Sequence, residues 1–231
     1  MIKEKSTAKK AFTLAETLIT LGIIGVVAAL TIPNLITKYK AKRLRSQFLK
    51  SYSVVQQVFK QMEADDVSLN PQDYRDNNNP FYKTFIKYLA GATECGWAGG
   101  GEQSCRLYKT GINYHNLTGD AVISGWYFDD GQISLSDGSI MYFENDYRTN
   151  YIWVFVDLNG MKNPPNRLGY DLFAFEFLDG VLRTMGDKET KYPNTETYCD
   201  FSGKSSMNGM ACAHLAKTDT SYFERVIKKF K

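Results

Sequence analysis

From Phe12 to Ile32 the chain reads FTLAETLITLGIIGVVAALTI, and these 21 residues, with the single charge of Glu16, decide the architecture. A helix rises about 1.5 Å per residue, so the stretch reaches about 30 Å, the thickness of a bilayer's hydrocarbon core. A helix buried in a soluble core would show a polar face. This one shows only Glu16 and a few threonines. A secretory signal is the other plain reading, with Lys3, Lys5, Lys9 and Lys10 as its basic start and Val27-Ala28-Ala29 as a small-residue cleavage site. Three features oppose it. Glu16 stands early in the apolar run, the run is long for a signal, and helical periodicity resumes directly after it.

Leu44, Phe48, Tyr52, Val55, Phe59 and Met62 follow at steps of three and four, one apolar stripe on an amphipathic helix. The pattern predicts one long helix from about Phe12 to Glu63, bent or loosened near Pro33. Its first half is apolar all round. Its second half has one face that needs a partner, a sheet from the same chain. The far flank of the span (Lys38, Lys40, Lys42, Arg43, Arg45) is more basic than the leader, so charge alone does not orient it as a simple anchor.

The remaining composition sets limits. The 231 residues are 43% hydrophobic and 23% charged, which excludes wholesale disorder and a collagen-like repeat. Lys and Arg number 28 against 25 Asp and Glu, too even to imply nucleic-acid binding by itself. A mean hydropathy of −0.35 excludes a polytopic membrane protein but not a single span.

The run Lys9-Lys10-Ala11-Phe12-Thr13-Leu14-Ala15-Glu16 resembles the cleavage and methylation motif of type IV prepilins and type II secretion pseudopilins. The shared elements are a short basic leader, a small residue before the cut (Ala11, where Gly is commoner), Phe, a Glu four residues on, and a long apolar run. Pro33 stands where many such proteins carry a helix-loosening proline. The likeness covers about the first 35 residues. It implies cleavage between Ala11 and Phe12 by a prepilin peptidase, which also methylates the new Phe12 amine. Losing residues 1–11 removes four lysines and one glutamate, leaving 24 basic and 24 acidic side chains. A lone carboxylate inside a membrane costs about 2.5–3.5 kcal/mol on insertion scales, so Glu16 needs a partner. The resemblance supplies one, the Phe12 amine of a neighbouring subunit, whose pairing favours assembly and sets the axial stagger. A carboxyl that protonates or reaches the headgroups is the alternative.

Beyond Glu63 the chain reads as a globular head. Ala64 to Pro80 is polar and predicts a loop, and Phe81, Phe85, Ile86 and Leu89 predict a short helix. The Gly-rich stretch Cys95–Cys105 lacks phosphate-loop spacing and reads as a cysteine-closed surface loop. From Ala121 onward strands dominate: Trp126–Phe128, Gln132–Leu135, Ser139–Phe143, Tyr151–Val156 and Leu172–Phe177. Asp130-Gly131, Asp137-Gly138, Asn159-Gly160 and Asp179-Gly180 punctuate them as turns. The fold class is α+β, a long helix covered by an antiparallel sheet, in agreement with the pilin-like architecture.

With the head outside the cytoplasm, disulfides persist. Cys95, Cys105, Cys199 and Cys212 allow three pairings, or remain as buried thiols. Proximity favours Cys95–Cys105 and Cys199–Cys212, each worth about 3 kcal/mol in the loop-entropy model. The second is similar to the C-terminal disulfide region of many pilins. No CxxC or paired histidine suggests zinc. The loop from Asp157 to Asp171 reads first as a turn in which Asp and Asn cap backbone amides. Calcium held by Asp157, Asn159 and Asp171, as in loops of some pseudopilins, is the second reading, since the EF-hand spacing fails.

Nothing argues for an enzyme: no G-x-S-x-G is present, His115 and His214 lack partners by spacing, and Asp129-Asp130 lies at a turn. The aromatic content of 14% leaves room for a face that stacks DNA bases or sugars, and Lys228, Lys229 and Lys231 for a small basic patch. The organisation expected is a leader (1–11), a transmembrane assembly helix (12–33), its amphipathic continuation (34–63) and an extracytoplasmic head (64–231). The resemblance implies a filament subunit of the bacterial inner membrane, later part of a periplasmic or cell-surface filament. Its partners would be other pilin-like subunits, the prepilin peptidase, an inner-membrane assembly platform and membrane lipid. A membrane-anchored extracytoplasmic binding protein that never polymerises is the alternative.

Overall fold

Helix α1 runs from Leu14 to Ala64. The computed structural model describes residues 13–74, 80–98, 105–145 and 148–230. The chain divides into two units, Met1–Tyr39 and Lys40–Lys231. Within the first, α1 passes Pro33 without interruption. Proline has no N–H, so the carbonyl one turn before it loses its intrahelical donor. The expected break is no larger than that, and the Thr37 hydroxyl donates to the Pro33 carbonyl at 3.0 Å.

The second unit is built on a six-stranded sheet. Its strands are β1 (Thr93–Gly96), β2 (Gly131–Ser134), β3 (Ile140–Glu144), β4 (Tyr151–Asp157), β5 (Leu172–Leu178) and β6 (Val181–Thr184). They pair in chain order, each antiparallel to the next, as a meander. The β5–β6 connection shows why the turn dipeptides were informative. Asp179 and Gly180 have φ of 51° and 75°, the left-handed pair that a two-residue hairpin turn with the correct twist requires.

Side chains alternate across the sheet, so each strand feeds two layers. On one face Phe173, Phe175 and Phe177 of β5 meet the stripe of α1. Phe48 lies 4.8 Å from Phe173, Tyr52 5.4 Å from Phe175, and Phe59 stacks on Phe177 at 4.2 Å. The pairs advance together, so helix and strand run side by side in the same direction. Phe48, Val55, Phe59 and Met62 are fully buried or nearly so, and Leu44 is partly covered. Full burial of such a side chain contributes about 1.5–3 kcal/mol, so this seam is a principal source of stability. Helix α2 (Phe81–Phe85) closes the same face, with Phe85 5.0 Å from Phe143.

The opposite face, carrying Tyr142, Trp153 and Phe155, is covered by the segment between β1 and β2. That segment holds helix α3 (Leu107–Thr110) and a 3₁₀ turn, Gly125–Phe128. Phe128 sits 5.1 Å from Tyr142 and 5.2 Å from Phe155, and Tyr127 stacks on Trp153 at 5.8 Å. Trp126–Phe128 is therefore a 3₁₀ turn and not the strand its aromatics suggested. Its rings serve as a lid on the sheet.

Further elements appear that the sequence analysis did not name. Cys95 belongs to a strand, β1, and β6 adds another that short length and a polar Arg183 concealed. The C-terminal segment is helical, with α4 (Thr195–Tyr198), α5 (Cys212–Thr218) and α6 (Tyr222–Lys229). The loop from Ala64 to Pro80 contains a 3₁₀ turn, Pro71–Tyr74. Helix α6 packs beside α1, with Phe223 6.0 Å from Phe48 and 5.6 Å from Phe173. The Arg45 guanidinium donates to the Ala216 carbonyl at 3.1 Å, and the Lys217 ammonium lies 4.0 Å over the Tyr52 ring.

Both cysteine pairs are joined: Cys95–Cys105, and Cys199–Cys212 across α4 and α5. Gly169, at φ 76°, passes so close that a Cβ there would lie 2.7 Å from the Cys212 sulfur. Glycine is needed at that position both for its conformation and for the approach.

Candidate functional site

Of the N-terminal site residues, Ala11 and Phe12 lie outside the described residues. Glu16 is at the first turn of α1. The Thr13 amide and the Thr13 hydroxyl each donate to Glu16 Oε2 at 2.8 Å, and the Glu16 amide donates to Thr13 Oγ1 at 3.2 Å. This is a capping box, two side chains satisfying each other's helix-end amides. The sequence reading sought a charged partner for Glu16 and passed over this neutral one, although Thr-x-x-Glu before an apolar run is its signature.

The threonines beyond it turn inward to the backbone. Thr17, Thr20 and Thr31 donate to the carbonyls of Thr13, Glu16 and Val27 at 3.1, 2.8 and 2.8 Å. With the hydroxyls satisfied within the helix, the outer surface is aliphatic, as lipid requires. An 18-residue window here has a mean hydropathy of 2.1 with no part buried, and Leu14 and Leu30 are 79% and 75% exposed. Among the described residues, α1 is thus the one helix long and apolar enough to cross a membrane.

No protein-family model, curated protein or solved structure matches this chain.

The Asp157–Asp171 loop is a hydrogen-bonded turn built on buried carboxylates. Asp157 accepts from the Tyr114 hydroxyl at 2.5 Å and from the amides of Asn159 and Gly160 at 3.1 and 2.9 Å. Asp171 accepts from the amides of Asn166 and Arg167 at 3.0 and 2.7 Å. Asn159 exchanges hydrogen bonds with Asn163, its side-chain amide donating to the Asn163 carbonyl at 2.7 Å. The two carboxylates thus cap backbone amides of this loop, and Asp157 also holds the Tyr114 hydroxyl. Burial pushes the Asp157 carboxyl up to about 6, and burial together with the nearby Asp157 charge pushes Asp171 up to about 7.

His115 and His214 stand apart. Burial and the Arg167 charge lower His115, while His214 Nδ1 lies 3.9 Å from Asp187. A cavity of about 390 Å³ is lined by Arg43, Gln47, Asp137, Asn159 and Lys162, with Lys50 bridging to Asp137 at 2.7 Å.

The grouping that sequence reasoning missed involves Asp129 and Asp130. In the chain they are a pair at a turn. In the sheet, Gly131 pairs with Phe143, so Asp130 comes level with Glu144 at the open end of the β2–β3 hairpin. One oxygen from each of Asp129, Asp130 and Glu144 lies within 4.8 Å of the others. Burial and the Asp130 charge push Asp129 up to about 6. The register between β2 and β3 was the needed signal, and the Asp137-Gly138 turn between them would have set it.

Proposed function

We propose that this chain is a structural subunit of a type IV pilus-like or type II secretion filament. In this reading prepilin peptidase cleaves between Ala11 and Phe12 and methylates Phe12. The head faces the extracytoplasmic side of the inner membrane, and an assembly platform polymerises the subunits through their apolar helices. The observation that carries the reading is the aliphatic first half of α1, exposed along its length and continuous with a second half seated on β5. Membrane helices associate by close packing and by satisfied polar groups, and a bundle of such helices is a filament core. The motif around Phe12 and Glu16 supports the same reading.

One observation favours a second reading, a membrane-anchored extracytoplasmic protein that does not polymerise. Glu16 already has partners on its own chain, so its presence does not require a neighbouring subunit. Glu16→Gln separates the two, because Gln keeps the capping oxygen and removes the charge. The filament reading expects membrane insertion intact and filaments lost, counted by electron microscopy of sheared surface fractions. Filaments at the normal level in Glu16→Gln would reduce Glu16 to a cap. An N-terminal peptide mass on protein from host membranes tests the processing step, with methylated Phe12 as its first residue.

A further inference from the structure

Three carboxylates converge beside an exposed tryptophan at the open end of the β2–β3 hairpin, at the other end of β3 from the strand partner of Asp157. Asp129 ends the 3₁₀ turn, Asp130 precedes β2 and Glu144 closes β3. Their oxygens fall within 4.8 Å of one another. Two ligands on opposite sides of a calcium ion, each about 2.4 Å from it, are about 4.8 Å apart. The cluster is therefore of the size that one such ion bridges.

Independently, Asn145 points to a ligand. It is 8% exposed, it lines the same cavity as the carboxylates, and its Oδ1 is buried without a hydrogen-bond partner. A buried amide oxygen left unpaired costs about 1–3 kcal/mol. Its backbone is already held, the Asn145 amide donating to Asp130 Oδ2 at 2.6 Å. A cation among the three carboxylates would take the orphaned oxygen as a neutral ligand. Arg148 also lines this cavity of about 450 Å³.

We propose that Asp129, Asp130, Glu144 and the Asn145 side-chain oxygen form a binding site for one hard divalent cation of calcium size. An all-oxygen set with one neutral carbonyl suits calcium, and a partly exposed hairpin end gives the adaptable geometry that calcium tolerates and magnesium does not. The bound ion would tie the hairpin's open end to the turn that carries Trp126.

Trp126, 77% exposed and lining the cavity, supplies the readout. Terbium(III) replaces calcium in oxygen sites and emits when a nearby indole is excited. The full chain in detergent micelles is titrated with terbium and, separately by calorimetry, with calcium, magnesium and manganese. The expected result is one saturable calcium site per chain with a dissociation constant in the range of about 10⁻⁴–10⁻³ M, as for extracellular modules. Calcium should displace the terbium signal. Trp126→Phe should lose most of the emission and keep calcium binding. Asp129→Asn should weaken binding about tenfold, and Asp129→Asn with Glu144→Gln should abolish it while the circular dichroism spectrum is unchanged. No saturable binding of any of the three cations by the unaltered chain at about 10 mM would overturn the proposal. So would binding that survives the double substitution, or emission unaffected by Trp126→Phe.

Discussion

Asp171 and Asp157 are buried where a carboxylate loses most of its water. Each keeps its place by accepting backbone amides, yet burial outweighs those bonds and the pair repel each other when both are charged. Folded, they hold protons to about pH 6 and about pH 7. Their ordinary value is 3.8. The folded chain therefore binds more protons than the unfolded one between these limits. Their stabilising contribution is complete below about pH 4 and is lost as pH rises through 6 and 7. His115 works in the opposite sense, its contribution lost as pH falls below 6.5. Asp129, pushed up to about 6, and Glu176, raised by burial, act in the same sense as Asp157 and Asp171, so the carboxyls outweigh the one imidazole and set the direction. The melting temperature should be higher at about pH 5 than at about pH 7.5, and Asp171→Asn should flatten that slope. A melting temperature that rises across this interval would show that the two carboxyls ionise at ordinary values. At this scale the residue types were legible from the chain, and their partners were not. Tyr114 lies 43 positions from Asp157, and nothing local announces the bond between them.

The long helix was the most legible element because a single physical variable, apolar spacing, specifies it twice. A run without polar interruption gave its first half, and steps of three and four gave its second. The central strands were equally plain, since β4 and β5 are rich in aromatic and aliphatic residues and are followed by Asn-Gly and Asp-Gly turns. Short elements escaped for the converse reason. Strands β1 and β6 have four residues each, and unlike β2, of the same length, neither is bounded by an Asp-Gly turn at both ends. The 3₁₀ turn at Gly125–Phe128 carries β-favouring aromatics because they cap a sheet, not because they extend one. The C-terminal helices α5 and α6 were hidden among glycines, cysteines and threonines that also suit loops. The seam between α1 and β5 yields a sharp expectation. Phe59 lies face to face with Phe177, and also touches Phe81 and Phe85. Phe59→Ala should cost about 3–5 kcal/mol in chemical denaturation, through lost burial and an unfilled cavity. A loss below about 1 kcal/mol would mean that the ring stack contributes little.

Across the whole molecule, the sheet is covered on both faces, and the C-terminal helices are fastened by a covalent link. Cys199 and Cys212 are 13 positions apart and connect α4 to α5, which sits by the edge strand β6 through the His214 amide and the Met185 carbonyl at 3.0 Å. Replacing both cysteines with serine should lower stability by about 3 kcal/mol in the loop-entropy account. The loss is read by denaturation of the full chain in micelles, and an unchanged midpoint would assign the restraint to packing around Tyr222 and Gly169. Tyr222 is fully buried, and its hydroxyl donates to the Gly169 carbonyl at 2.5 Å.

Side-by-side alignment of α1 and β5 also decides how the head resists force. A tug along the axis of α1 acts parallel to the rows of rings at Phe48, Tyr52 and Phe59. The rings on the helix would have to slide past those on the strand all at once. A pull across the seam would instead part them one after another, each contact failing alone. Loaded lengthwise, the interface shares the strain as a glued lap joint does.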